Sequence, residues 1–181
     1  GGADWDQIVS RIYDYDWMVA SVTGGMNTAL RDTDVSALLK YFQSDIGRQI
    51  IALETSARQA MSDDEVEAAS NDVLDGLERA DDPRLAQISR FVQANDLLES
   101  NVVSALNSNF AFFSGLVDGG ALGEGMSEDE ILRDVWDQEG EIRDEARIWL
   151  FSYLAMAYQP LSPSDLEGYI EVSQTPAGQV L

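Results

Sequence analysis

Apolar residues recur three and four positions apart along almost the whole chain, and no stretch alternates apolar with polar residues in the manner of a strand. The first spacing stacks side chains on one face of a helix with 3.6 residues per turn; a half-buried strand needs a period of two. The expected fold class is therefore all-α, a single domain of about seven to nine helices. At 181 residues the chain is long enough to bury one sizeable core without metals or crosslinks.

Cap residues divide the pattern into segments. A first helix is expected from about Asp4 to Val22, with Trp5, Ile8, Ile12, Tyr15 and Val19 on one face and Gly24-Gly25 as its stop. A short helix over 34–43 turns Val35, Leu38, Leu39 and Phe42 inward. Ser44 is the N-cap of the next, whose face is Ile46, Ile50, Leu53 and Ala57. Ser62 and Glu65 have capping-box spacing, with Met61 and Val66 as the staple and the helix running on through Val73 and Leu77.

Asp82-Pro83 opens a helix carrying Leu85, Ile88, Phe91 and Val92. After a break near Asn95-Asp96, Leu98, Val102, Leu106, Phe110, Phe113 and Leu116 continue to Gly119-Gly120. Ser127 and Glu130 form a second capping box, stapled by Met126 and Ile131. Ile131, Val135, Ile142, Ala146, Trp149 and Tyr153 follow, with Gly140 expected to split the stretch and Pro160 to end it. Ser162-Pro163 starts the last helix, stapled by Leu161 and Leu166.

The chain also matches itself when shifted by 131 residues. Trp5-Asp6-Gln7 falls on Trp136-Asp137-Gln138, and Gly47 on Gly178. Ser44-Asp45-Ile46-Gly47 lies on Thr175-Pro176-Ala177-Gly178, a hydroxyl cap followed three residues later by glycine in both. A glycine in a first helical turn costs roughly 0.5–1 kcal/mol against alanine, so its double appearance points to close packing there. Two related helix–loop–helix halves, about 5–50 and 136–181, are expected to bracket a central helical segment.

Charge and missing chemistry bound the function. Thirty-three acidic residues face eleven basic ones, a formal net charge of −22 against the roughly 2–8 usual for a small domain. Such a field repels nucleic acid and anionic headgroups and leaves cations, basic ligands and basic protein faces as partners. With no histidine and no cysteine, the sequence lacks the commonest general base, thiolate chemistry and any zinc site of the usual Cys/His type. No run of eighteen apolar residues is present, so no membrane insertion is expected. No cofactor and no catalytic motif stands out. The chain starts Gly1-Gly2-Ala3, which reads as a processed start, and its last residues, Val180-Leu181, fall inside an apolar pattern that is expected to continue.

Several motifs have plainer readings than a functional site. Asp14-Tyr15-Asp16 begins like a calcium loop, but Val19 and Gly25 occupy the positions needing glycine and glutamate. The glycine-rich run from Gly119 to Gly125 lacks a lysine and is flanked by acids, so it reads as a connector and not a phosphate cradle. Asp63, Asp64, Glu65 and Glu67, like Glu128, Asp129 and Glu130, suit the positive ends of helix dipoles better than a metal. Trp5, Trp17, Trp136 and Trp149 are expected in the core. Glu54 is the acid of most interest, next to an inward Leu53, with Arg58 one turn on as an expected ion-pair partner.

The segment Ala157-Tyr158-Gln159-Pro160-Leu161-Ser162, through Tyr169-Ile170 to Thr175-Pro176-Ala177-Gly178, resembles the bacterial domain of unknown function 2059 family. That family has a helix-ending tyrosine, a Leu/Phe-Ser-x-x-acidic-Leu start and a Thr/Ser-Pro-x-Gly turn. The match covers about 25 residues, and in the first half Asp45 stands where the proline would be. The resemblance implies an exported, periplasmic or secreted helical protein and supplies no catalytic residues. The expected function is a non-catalytic binding or interaction module of the cell envelope. A carboxylate-only hydrolase of cell-wall glycan, and a weak cation-binding or structural protein, are the alternatives. Partner identity and oligomeric state are open at this stage. The candidate interaction or structural positions are Glu54, Arg58, Trp5, Trp136, Gly47 and Gly178.

Overall fold

The computed structural model describes residues 2–120 and 127–181, with side chains from Trp5 onward. Residues 121–126, which hold most of the glycine-rich connector and the Met126 staple, lie outside the described residues. Every regular element described is an α-helix: α1 (Gly2–Ile12), α2 (Tyr15–Ala29), α3 (Ser36–Phe42), α4 (Asp45–Ala60), α5 (Asp64–Ala80), α6 (Pro83–Ala94), α7 (Leu97–Asp118), α8 (Glu128–Asp137), α9 (Glu139–Tyr158) and α10 (Pro163–Ser173). Only Tyr13 and Asp14 part α1 from α2; taken as one interrupted rod, the described helices number nine, within the expected range.

The C-terminal half of α9 is the hub. Leu150, Tyr153, Leu154, Ala155, Ala157 and Tyr158 are buried there, against Ile50 and Ala57 of α4, Ile88, Phe91 and Val92 of α6, and Leu166 and Ile170 of α10. α5 packs along the same helix, and Ser152 donates to Asn71 Oδ1 at 2.6 Å across that contact. A smaller core joins Val102 and Leu106 of α7 to Ile131 and Val135 of α8, closed by Ile142 and Ala146 of α9. Burying one such aliphatic side chain contributes about 1.5–3 kcal/mol. Arg84 completes the hub by donating to the carbonyls of Tyr158, Gln159 and Leu161, groups the end of α9 leaves without helical partners.

Most boundaries follow the caps. Ser44 accepts from Gly47 N–H at 3.2 Å, Ser162 from Asp165 N–H at 3.2 Å, and Ser127 and Glu130 form the full capping box. Pro83 follows the N-cap Asp82, and the break at Asn95-Asp96 lies where expected. Others need correction. Asp63, not Ser62, caps α5: its carboxylate accepts from Glu65 N–H at 2.9 Å, while the Ser62 hydroxyl donates to Gln59 O and helps finish α4. An ionised oxygen one residue nearer the helix outcompetes the hydroxyl. Gly140 does not divide its stretch; the chain turns at Gln138 and α9 starts before the glycine. Leu39 and Val73 point outward, and Leu74 supplies the buried contact of α5.

The largest correction concerns the N-terminal rod. Gly24-Gly25 does not stop α2, which runs through them to Ala29; the interruption is at Asp14, whose carboxylate accepts from Trp17 N–H at 2.7 Å. The face of Trp5, Ile8, Ile12, Tyr15 and Val19 is not buried, and α2 has no buried residue. Tyr13, Trp17, Met18, Val22 and Met26 are exposed as well, so α2 presents a broad apolar surface without a covering partner among the described residues.

The two turns related by the 131-residue shift share one geometry. Ser44 donates to Tyr41 O at 2.5 Å while accepting from Gly47; Thr175 donates to Val172 O at 2.7 Å while accepting from Gly178 N–H at 3.0 Å. Tyr41 and Val172 are themselves related by the shift.

Candidate functional site: a carboxyl among tyrosines

Glu54 lies on the inner side of α4 because it shares a face with Ile50 and Ala57, both buried against α9. The helix that buries those aliphatic groups therefore carries a carboxyl inward with them. Three tyrosines receive it. Tyr158 OH donates to Glu54 Oε1 at 2.6 Å, Tyr153 OH donates to the Glu54 main-chain oxygen at 3.1 Å, and Tyr169 of α10 shares the wall of one cavity with the carboxyl. Tyr41 of α3 stacks on Tyr169, with ring centroids 5.8 Å apart and planes 10° from parallel; its own buried hydroxyl has no hydrogen-bond partner.

Burial pushes the Glu54 carboxyl above its ordinary value, against the lowering effect of the Tyr158 and Tyr169 hydroxyls and of the Arg58 charge. Burial, with the nearby Glu54 charge, raises Tyr158 and Tyr169 in turn, and burial first of all pushes Tyr41 up to about 12. The cage thus consists of neutral phenols around one acid.

Beside it opens a cavity of about 400 Å³, inside the 300–1,000 Å³ span of small-molecule sites. Glu54, Tyr153, Tyr169 and Phe91 form its inner wall, and Arg58 and Asp96 stand on its solvent side. Asp96 holds a left-handed backbone (φ 49°) at the start of α7 and makes no side-chain cap bond. Leu150 and Leu154 complete the apolar surface.

The expected Glu54–Arg58 ion pair is absent among the described contacts, which corrects the simplest reading of their spacing. The Arg58 guanidinium lies over Trp149 (4.9 Å) and Tyr153 (5.2 Å), rings that stack on each other 5.3 Å apart. A delocalised cation gains from those aromatic faces without crossing the tyrosines that already hold Glu54.

Of the other positions, Gly178 joins the cavity wall, while Gly47 serves its turn elsewhere. Trp5 and Trp136 do not come together in the core; they are 64% and 59% exposed, on α1 and α8. Trp17 is exposed too, and Trp149 alone of the four is half-buried, so the expected tryptophan core is overturned. The acidic first turns serve as caps: Asp63 for α5, Glu130 for α8, where the Ser127 hydrogen bonds hold the Glu130 carboxyl below its usual value. Among the described residues no group of three or more acidic side chains gathers as a metal would require.

Helical spacing did not single out Tyr41, Tyr153, Tyr158 and Tyr169 as a set. The one available signal was hydroxyl-bearing aromatics on inner faces that otherwise carry aliphatics, since a buried tyrosine needs a polar partner.

The chain matches no family model, no curated protein and no solved structure.

Proposed function

We propose that the protein is a non-catalytic interaction module of the cell envelope, whose α1–α2 arm docks onto another protein. One observation carries this: α2 presents a broad apolar surface yet buries nothing among the described residues, whereas α9, its counterpart under the 131-residue shift, is embedded between α4, α5 and α7. The apolar stripe of a helix ordinarily packs against another element. The shift pairs Val19, Val22 and Met26 with the buried Leu150, Tyr153 and Ala157, so those three residues mark the docking face. The chemistry that covers α9 also describes the partner: an amphipathic helix like α4, with Ile and Ala at three- and four-residue spacing. Trp17–Leu30 carries no charged side chain, which lets a partner approach this part of a chain with net charge −22. Export and envelope location rest on the resemblance in the C-terminal segment.

The test is Val22→Asp. A partner recovered from envelope extract by the unaltered chain should be lost with the variant, at low and high salt alike, while the thermal midpoint stays unchanged. Recovery of the same partner by the variant would sink the reading, and so would a large drop in midpoint, which would mean that the arm packs on its own body.

A hydrolase resting on carboxylates draws on the fact that Glu54 and Asp96 line one cavity. Its signature would be release of reducing ends from cell-wall glycan, abolished by Glu54→Gln.

A further inference from the structure

Glu54 is an acid drawn inward with Arg58 nearby but no ion pair to it among the described residues. None of the ion pairs among the described residues includes it, and its partners are phenolic hydroxyls. Buried charges are ordinarily paired, because removing a carboxylate from water costs several kcal/mol that neutral donors only partly return. Asp96, on the rim of the same cavity, also has no ion pair, so two acids face one arginine there. The acids there outnumber the arginine by one.

The walls specify what would compensate the extra acid. Phe91, Tyr153 and Tyr169 present aromatic surface, and Leu150 and Leu154 aliphatic surface. A hard metal ion would want six or more oxygens, and two carboxylates do not supply them. An alkyl ammonium fits better: its charge meets carboxylate and ring faces, and its methylenes meet leucine. The volume accommodates a small organic molecule, and the net charge of −22 concentrates cations around the whole surface.

We propose that the cavity beside Glu54 binds a small organic ammonium ion, with the Glu54 carboxylate as counter-ion and Asp96 as a second acid at the rim. This site is independent of the α1–α2 arm. Arg58 has the opposite effect from the acids: its guanidinium repels the ligand and covers one face of Tyr153.

Calorimetric titration with n-butylammonium chloride tests the assignment, with 1-butanol and sodium chloride at matched ionic strength as references. Saturable one-to-one binding of butylammonium is expected, with butanol and sodium at least about tenfold weaker. Glu54→Gln should weaken binding by about tenfold or more, the effect of losing a charged hydrogen-bond partner. Arg58→Ala should strengthen it. Asp96→Asn should weaken it by a smaller factor; asparagine tolerates the left-handed backbone and the side chain is exposed, so this variant reports even if Glu54→Gln does not fold. Butanol binding as tightly as butylammonium, no saturable binding, or weakening by Arg58→Ala would each overturn the proposal.

Discussion

A Cβ on residue 47 would stand 2.2 Å from the Tyr41 carbonyl oxygen, and one on residue 178 would stand 2.3 Å from that of Val172. Both obstacles are backbone and cannot swing aside. Gly47→Ala and Gly178→Ala should therefore each lower stability by about 1–3 kcal/mol in urea denaturation. Gly140→Ala is the internal reference, because open space surrounds that position within α9; it should gain about 0.5–1 kcal/mol from helix propensity. These glycines were legible in the sequence because a costly residue recurs at one register. The surroundings of Glu54 were not: Tyr158 and Tyr169 lie more than a hundred positions along the chain, and only the packing of α4, α9 and α10 brings them to it. Two acids then predict opposite pH behaviour. Glu54 has a raised carboxyl pKa in the fold, so its contribution is present below the unfolded value and is lost as pH rises through the folded one. The stability advantage of the native chain over Glu54→Gln should shrink as pH rises above the ordinary carboxylate range. Glu167 is held down to about 2 by Arg90, whose two guanidinium nitrogens reach its carboxylate at 2.6 and 2.5 Å, with Gln87 assisting. Its contribution is present above the unfolded value and fades as pH falls toward about 2, so the advantage over Glu167→Gln should shrink on acidification.

At the scale of the helix, caps carried most of the boundary information, and the one misread cap makes a sharp test. If Asp63 is the N-cap of α5, Asp63→Ala should cost about 0.5–2 kcal/mol while Ser62→Ala costs less, read as shifts in the urea midpoint. The reverse order would restore the Ser62–Glu65 box. Periodicity was less informative about which helices are covered. α2 and α9 have similar three–four spacing and align under one shift, yet one is exposed and the other is the hub. Spacing states which residues share a face; it is silent on whether anything packs against that face. The central helices show the same limit in milder form, since Leu39 and Val73 fit the pattern and still point to solvent. Burial is decided by neighbours far along the chain, and a local pattern has no access to them.

Over the whole molecule, the few basic residues stitch helices together while most acids face water. Arg90–Glu167 ties α6 to α10, Arg143–Glu99 ties α7 to α9, and a looser Arg147–Glu78 contact ties α9 to α5. Exposed pairs of this kind contribute about 0–1 kcal/mol each. Against them stands the mutual repulsion of 33 acids only partly offset by eleven bases. Two like charges about 10 Å apart in water repel by about 0.4 kcal/mol, and an excess of 22 produces many such pairs. Repulsion should therefore outweigh the bridges. Added salt weakens both, but it relieves more than it removes, since the screening length falls from about 30 Å at 0.01 M to about 3 Å at 1 M. The thermal midpoint should accordingly rise steadily with sodium chloride over that range, and potassium chloride should act equally well, because screening does not depend on which monovalent ion supplies it. A falling midpoint would mean that the arginine bridges dominate. A rise with one cation and not the other would instead locate the effect at a specific site.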